Sequence, residues 1–303
     1  MSKAAQEREP RREAMIAGVR LTHPDKVLYP DQGITKIELA DYYAAVAEHM
    51  LPHVAHRPIT MVRCPTGQER KCFYQRHAGS GVPKQLSQVS VPGFDEPYLY
   101  IKDFAGLIAL VQMGVLEIHP WGVTISHPDR PDRIIFDLDP AEELSFSAVV
   151  RAAHDVRERL AALGLVSFVK TTGGKGLHVV LPIEPAEWPA AKAFAKALSE
   201  SMASTAPERY LTRISKAERS GRIFIDYLRN DPTSTAVGAY STRSRKGAPV
   251  ALPLDWEEVT ATLDPSAFTV RTVPALIARR KADPWAVLLE TKQQLPAIET
   301  IRS

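Results

Sequence analysis

The stretch RIIFDLDP, residues 133–140, sets two carboxylates, Asp137 and Asp139, one residue apart at the end of an apolar run that a proline closes. Successive side chains of an extended strand alternate between its faces, so Asp137 and Asp139 project together while Leu138 turns away. Two carboxylates that close raise one another's pKa and resist joint ionisation unless a cation sits between them, as divalent-metal catalysis of phosphoryl transfer requires. Alone, the pair also reads as a solvated strand end. Its meaning depends on what the rest of the chain places beside it.

The segments around this strand set the fold class. SFSAVVRAAHDVRERLAALG, residues 145–164, has the period of a helix stopped by Gly164, and LVSFVKTTGGKGLHVVLPI, residues 165–183, reads as strand, glycine turn, strand. A helix over about 187–203, a strand in RIFIDYL (222–228) and a further strand in STAVGAYSTR (234–243) follow. On the other side, Thr35 stands three residues before Glu38 as a capping box, and apolar residues at Ile37, Ala40, Ala44, Ala47 and Leu51 predict a helix over about 36–51. DFAGLIALVQMG (103–114) is a second helix, and VLEIHPW (115–121) a short strand. Helices interleaved with strands that are partly hairpin-connected predict an α+β fold, a mixed sheet with helical cover. Residues 1–18 are polar and aperiodic and read as a disordered leader or linker remnant, leaving 19–303 as a single domain, with short helices in the Pro-rich tail.

With 45% apolar and 24% charged residues, the 303-residue chain is able to bury a full core. No apolar run approaches the roughly 20 residues of a membrane span, and the N-terminus lacks the apolar stretch of a secretory signal, so a cytoplasmic protein without membrane partners is expected. Cys64 and Cys72 fit neither a zinc motif nor a disulfide framework, and are read as reduced, partly buried thiols. No zinc is expected. The net charge of +3 permits an anionic partner without demanding one, but nine basic residues against four acidic ones lie between Glu208 and Lys246. Such a cluster binds phosphate only if it adjoins a site.

Two further motifs could share chemistry with the D-x-D. GRIFIDYLRN places a third acid, Asp226, at the end of another apolar strand. Three strand-borne carboxylates are able to hold two divalent ions at the roughly 3.5–4 Å spacing of polymerases and nucleases. Between these strands KTTGGKGLHVV offers three glycines that let backbone N–H groups approach an anion, with Thr172, Lys175 and His178 as donors around it. It lacks the Walker A spacing, and a plain glycine-rich hairpin is the alternative.

The order of these motifs resembles the archaeo-eukaryotic primase superfamily, and most nearly the polymerase domain of bacterial ATP-dependent DNA ligase D. The likeness runs from about Val19 to the C-terminus through LTHPDKVLYP, ITKIELADYYAAVAEHML, CFYQRH, LIALVQMGVLEIHPW, RIIFDLDP, KTTGGKGLHVVLP, IFIDYLRN and AYSTRSRKGAPV, in that order. The resemblance implies that Asp137, Asp139 and Asp226 are catalytic metal-binding acids, holding two Mn²⁺ or Mg²⁺ ions. It implies that Thr172 and His178, with Lys175 beside them, grip the phosphates of an incoming nucleotide. Arg243 matches a residue that contacts the triphosphate, and His119 a histidine lining the nucleotide pocket. Lys26 and Lys36 match lysines that hold the 5′-phosphate downstream of a gap, and Phe73 and Tyr74 fall where aromatic rings stack on template bases. Thr172 stands where many members carry Ser, and Tyr74 where some carry Phe; both keep the relevant chemistry.

The function so implied is a template-directed nucleotidyltransferase that fills short gaps and extends ends in nonhomologous end joining, taking NTP or dNTP substrates, accepting ribonucleotides, and acting on DNA with gaps or 5′-phosphorylated broken ends. Ku and the ligase and nuclease domains of ligase D are its implied partners. No K-x-D-G adenylation motif occurs, so the chain is either a stand-alone polymerase or a piece of a longer ligase. A metal-dependent phosphodiesterase and a non-catalytic end-binding module are the rival readings; a D-x-D glycosyltransferase gains nothing from the glycine element or the basic cluster.

Overall fold

The computed structural model describes residues 13–213 and 219–302. RIIFDLDP forms an eight-residue strand, Arg133–Pro140, in the interior of a six-stranded sheet. From one edge to the other the strands are Tyr210–Leu211, Ile223–Asp226, Arg133–Pro140, Leu177–Pro182, Phe168–Thr171 and Pro253–Leu254, antiparallel throughout except for the first pair. Ile134, Phe136 and Leu138 are fully buried, and helices Phe146–Ala162 and Trp188–Thr205 pack on this sheet. Burial of each such side chain stabilises the fold by about 1.5–3 kcal/mol, which ties the strand's alternation to one register. With the even-numbered residues inside, Asp137 and Asp139 must face the other way.

A second layer carries the three-stranded sheet Phe73–Gln75, Ile59–Arg63 and Val115–Pro120, with helix Phe104–Gln112 against Val115–Pro120 and helix Lys36–Val54 packed on that helix. The first helix opens on the expected capping box: Thr35 Oγ1 accepts from the Glu38 N–H at 3.3 Å and Glu38 Oε2 accepts from the Thr35 N–H at 2.8 Å. One continuous apolar core runs through both layers. In the tail, short helices form at Pro265–Ala267, Val273–Arg279 and Glu299–Arg302, and buried Trp285 donates to Val169 O at 3.0 Å.

Three expectations change. Within STAVGAYSTR no strand forms; Thr242 makes only an isolated bridge with Val250. Tyr240 has φ +61°, which breaks the extended run, and the backbone is shared between layers: Gly238 N–H donates to Ile118 O (2.9 Å) while Tyr240 N–H donates to Ala251 O (2.7 Å). The segment is a seam between the two layers, and its polar groups are satisfied on both sides. Cys64 and Cys72 are bonded to each other as a disulfide, Cα atoms 4.4 Å apart. Arg63 pairs with Phe73, so the next position outward brings the two cysteines face to face, a relation that sequence spacing alone conceals. Finally, Glu13–Ile16 pairs with Val19–Thr22 as a hairpin, so part of the 1–18 stretch read as a leader is a strand; residues 1–12 lie outside the described residues.

Candidate active site

Strand register assembles the acids. Asp137 lies directly opposite Asp226 on one neighbour and His178 on the other, and His178 lies opposite Lys170. Lys170, His178, Asp137 and Asp226 thus form a row of ionisable side chains across four strands, on the sheet face away from Phe136 and Leu138, with Asp139 two residues along the same face. Asp226, Asp137 and His178 of this row, with Asp139, floor a cleft of about 390 Å³ between the layers, walled by Tyr74 and His119 from the smaller sheet, the glycine hairpin, and Arg219, Arg229, Arg243 and Arg245, while Lys170 lies buried at the end of the row.

Electrostatics sorts the carboxylates. Burial pushes Asp137 up, but its hydrogen-bonded contact with His178 (Nε2 to Oδ1, 3.3 Å) and the charges of Arg229 and Lys170 outweigh it and hold the carboxyl well below the usual range. Asp226 moves the other way: burial first, then the charges of Asp137 and Asp139, raise it against the pull of Arg229. His178 is driven down to about 4, by burial and then by Lys170, and is neutral at pH 7. Lys170 is itself buried, with Thr171 O at 3.3 Å as a partner, and burial brings it down to about 7.

Arginines engage all three acids. Arg229 Nε lies 3.2 Å from Asp137 Oδ2 and 3.1 Å from Asp226 Oδ2, and Arg219 Nη1 lies 2.7 Å from Asp139 Oδ2. Among the described residues no three acidic, His or Cys side chains are already gathered tightly enough to hold a metal. The donor set nonetheless suits one: three hard carboxylates on one face, with a guanidinium bridging two of them where a divalent cation would neutralise both. Asp137, Asp139 and Asp226 are the residues that would hold such a cation, in place of the Arg229 and Arg219 contacts.

The hairpin KTTGGKGLHVV turns at the mouth of this row. Gly173 adopts φ +63°, and a Cβ on Gly176 would stand 2.5 Å from Leu138 O, so glycine is what lets the turn lie against the D-x-D strand. Thr172 Oγ1 donates to Gly176 O at 3.1 Å, closing the turn, while Lys175 is exposed at its tip. Arg243 reaches across the seam: its Nε donates to Glu117 Oε2 at 2.9 Å and its Nη1 to Thr172 O.

Of the residues singled out in the sequence, Asp137, Asp139, Asp226, Thr172, Lys175, His178, Arg243, His119 and Tyr74 share the cleft. Phe73 does not; neighbouring strand residues face opposite ways, and Phe73 borders an adjoining cavity of about 290 Å³ with Glu117 and Ser244, its ring 5.3 Å from the Arg63 guanidinium. Lys26 and Lys36 lie outside the cleft but side by side, Lys36 N–H donating to Lys26 O at 2.8 Å. Lys36 Nζ is held by Thr22 O at 2.7 Å, and Lys26 Nζ by Pro65 O at 2.5 Å. Burial and then the Lys26 charge pull Lys36 down. Lys170 and Glu117 stand inside the quoted stretches KTTGGKGLHVV and VLEIHPW, but nothing local to either residue gives it a role. Arg219, Arg229 and Arg245 were visible only as members of the basic cluster, and with Arg243 they are its members that reach the cleft, Lys216 lying outside the described residues.

Residues 35–285 match the family model of the LigD primase-polymerase domain. The multifunctional non-homologous end joining protein LigD of Pseudomonas aeruginosa is 36% identical over 289 residues, 94% of this chain and 34% of that protein. Its counterpart from Mycolicibacterium smegmatis is 35% identical over 80% of this chain and 32% of its own length. The chain therefore spans about a third of the curated relatives it matches. Among solved structures, the polymerase domain from Mycobacterium tuberculosis ligase D in complex with DNA superposes with a TM-score of 0.83 at 34% identity, covering 89% of this chain and 97% of that one. Three acids set on neighbouring strands, in a chain that matches that domain along most of its length, make this protein a member of the LigD primase-polymerase family of nucleotidyltransferases.

Proposed function

We propose that the cleft joins an incoming ribo- or deoxyribonucleotide to a primer 3′-hydroxyl on a DNA template, filling short gaps and extending broken ends in non-homologous end joining. The observation that carries this reading is the register pair Asp137–Asp226 with Asp139 on the same face, opposite a wall of arginines. The relatives' names and the DNA in the neighbouring structure support the partner class.

In this reading Asp137, Asp139 and Asp226 hold two divalent ions, which when bound neutralise charge on the attacking oxygen and the departing pyrophosphate. The chain supplies the rest by positioning. Arg243, Lys175 and the Gly173–Gly176 backbone take the triphosphate, Arg243 through a planar fork and Lys175 as a mobile point charge. Thr172 contributes through the turn it closes, and neutral His178 orients Asp137 through its Nε2–H. Tyr74, 73% exposed, offers its ring to a template base. Lys26 and Lys36, paired away from the cleft, suit a downstream 5′-phosphate. Ku and separate ligase and nuclease domains are the partners that the family resemblance implies, and we propose them on that ground alone.

The test is a short gapped duplex with Mn²⁺ or Mg²⁺ and either ribo- or deoxyribonucleotides, comparing a 5′-phosphate with a 5′-hydroxyl downstream. Templated filling that is lost in Asp137→Ala, and whose 5′-phosphate dependence is lost in the Lys26→Ala/Lys36→Ala double variant, is expected. Strand cleavage without added nucleotide, or end binding that survives loss of all three acids with no incorporation, refutes it.

A further inference from the structure

Glu117 lies on the strand Val115–Pro120, two residues before His119, and is buried to 5% exposure behind the wall of the cleft. Both of its oxygens are fully used. Oε2 takes His119 Nε2 at 2.8 Å and Arg243 Nε at 2.9 Å, and Oε1 takes the Ser244 N–H at 2.9 Å and its hydroxyl at 2.6 Å. One carboxylate therefore ties a histidine of the smaller sheet to the arginine that ends the seam and to the serine after it. Electrostatics makes its placement informative: a buried anion beside a site for a polyanion repels the ligand and blunts Arg243. Glu117 has to repay that cost through geometry.

The geometry shows how. Burial drives Glu117 up, but the His119 hydrogen bond, the Arg243 charge and Ser244 hold it well below the usual range, so it is ionised; burial keeps His119 low, so its ring is neutral. A neutral ring facing a carboxylate through Nε2 must carry its proton there. Nδ1 is then an acceptor, and no group among the described residues donates to it. The nucleotide group that meets His119 must donate: a sugar hydroxyl or an exocyclic amine.

We propose that Glu117 is a positioning residue of the nucleotide site, fixing His119 in the Nε2–H tautomer and aiming Arg243 at the phosphates, so that sugar or base recognition and triphosphate recognition are set by a single buried carboxylate. The inference rests on the nucleotidyltransferase reading of the cleft.

Glu117→Gln is the test. A carboxamide of the same shape meets the four donors with one acceptor oxygen and one NH₂ group. Two of those donors are able to become acceptors, the Ser244 hydroxyl by rotating its proton away and His119 by shifting its proton to Nδ1. An NH₂ on the Ser244 side would still face the Ser244 N–H, which the backbone fixes, whereas on the His119 side it faces Arg243 Nε on a long side chain that is able to swing away, so the NH₂ turns toward His119 and Arg243 loses its anchor. Three readouts are taken on the whole chain: the melting temperature, the His119 ring-nitrogen shifts by long-range ¹⁵N–¹H NMR, and KM and kcat for gap filling with ribo- and deoxyribonucleotides of each base. Expected are a folded variant, a His119 proton moved from Nε2 to Nδ1, and a KM raised by about 10–100-fold, the usual scale for loss of an orienting carboxylate behind a site, with kcat changed by less than about 3-fold. A KM effect larger for ribo- than for deoxyribonucleotides identifies the donor as the 2′-hydroxyl; one that follows the base identifies the amine. Unchanged shifts and KM in a folded variant, or a lower KM because removal of the anion dominates, overturn the inference while leaving the polymerase reading intact. If the variant does not fold, the wild-type spectrum decides: Nδ1 protonated in the free protein overturns it. Failure of the wild type to incorporate any nucleotide overturns instead the function on which the inference rests.

Discussion

Asp226→Asn should make the metal-free protein more stable while abolishing activity. Side chains directly opposite in an antiparallel pair have Cβ atoms about 5 Å apart, and two ionised carboxylates at that distance repel by about 3 kcal/mol at an effective dielectric of about 20. Arg229, 3.2 and 3.1 Å from the two acids, offsets part of this, but its side chain is 42% exposed and its contribution is screened accordingly. The remainder is seen in the direction of the shift: burial, Asp137 and Asp139 leave Asp226 raised. A carboxyl raised in the folded state binds its proton more tightly there than in the unfolded chain, so its ionisation costs stability as pH rises through the folded value, and the cost disappears below the unfolded value of about 3.9. Asparagine keeps the shape, and its oxygen is able to accept the Leu228 N–H bond that Asp226 Oδ1 now takes at 3.0 Å. Urea denaturation in EDTA at pH 7 should therefore show a gain of about 0.5–2 kcal/mol, the range found when strained functional groups are relieved, and the gain should shrink toward zero near pH 4. Mn²⁺ should raise the wild-type midpoint but not that of the variant, and templated extension should fall to background. A variant less stable than wild type at pH 7 in EDTA, or a gain that grows as pH falls, refutes the reasoning.

Gly176→Ala should cost about 1–3 kcal/mol by overpacking, because its Cβ would stand 2.5 Å from Leu138 O, and it should depress extension by displacing the D-x-D strand; equal melting and activity would contradict this. Tyr74→Ala, at a 73% exposed site, should leave stability within about 0.5 kcal/mol yet weaken template binding by about 1–3 kcal/mol, read by fluorescence anisotropy on gapped DNA; Phe73→Ala should affect binding less, since Phe73 does not line the cleft. Breaking the Cys64–Cys72 bond, which closes a loop of sequence separation 8, should lower stability by roughly 2–3 kcal/mol on the chain-entropy scale, seen as a lower urea midpoint in reductant that a Cys64→Ser/Cys72→Ser variant reproduces.

How much of the site was legible follows from the range of each signal. Asp137, Asp139 and the glycine turn were readable because strand alternation and glycine geometry are local rules, satisfied within a few residues. The Thr35–Glu38 box was readable for the same reason, its partners being three residues apart. Glu117 and Lys170 were not: each is one charged residue in an apolar strand, and only the neighbours brought by other strands show that its charge is used. The Cys64–Cys72 bond escaped because it depends on the pairing of two strands across an irregular loop. STAVGAYSTR misled because its apolar alternation is real, but the partners of its backbone belong to two different layers, and Tyr240 leaves the extended region to reach both.

By itself the sequence determined that this chain folds as helices over a mixed sheet, that two acids share a face of one strand, and that a glycine hairpin and a third acid follow in the order of a primase-polymerase. These are properties of periodicity and order, which covalent sequence carries directly. Only the tertiary structure decided that Asp226 sits opposite Asp137 and not elsewhere on the sheet, that Arg219 and Arg229 engage the acids, that Phe73 is turned out of the cleft that Tyr74 enters, and that Glu117 joins His119 to Arg243. Charge interactions act through space over a few ångströms, and the distances between residues some 90 or 126 positions apart are set by strand register and layer packing.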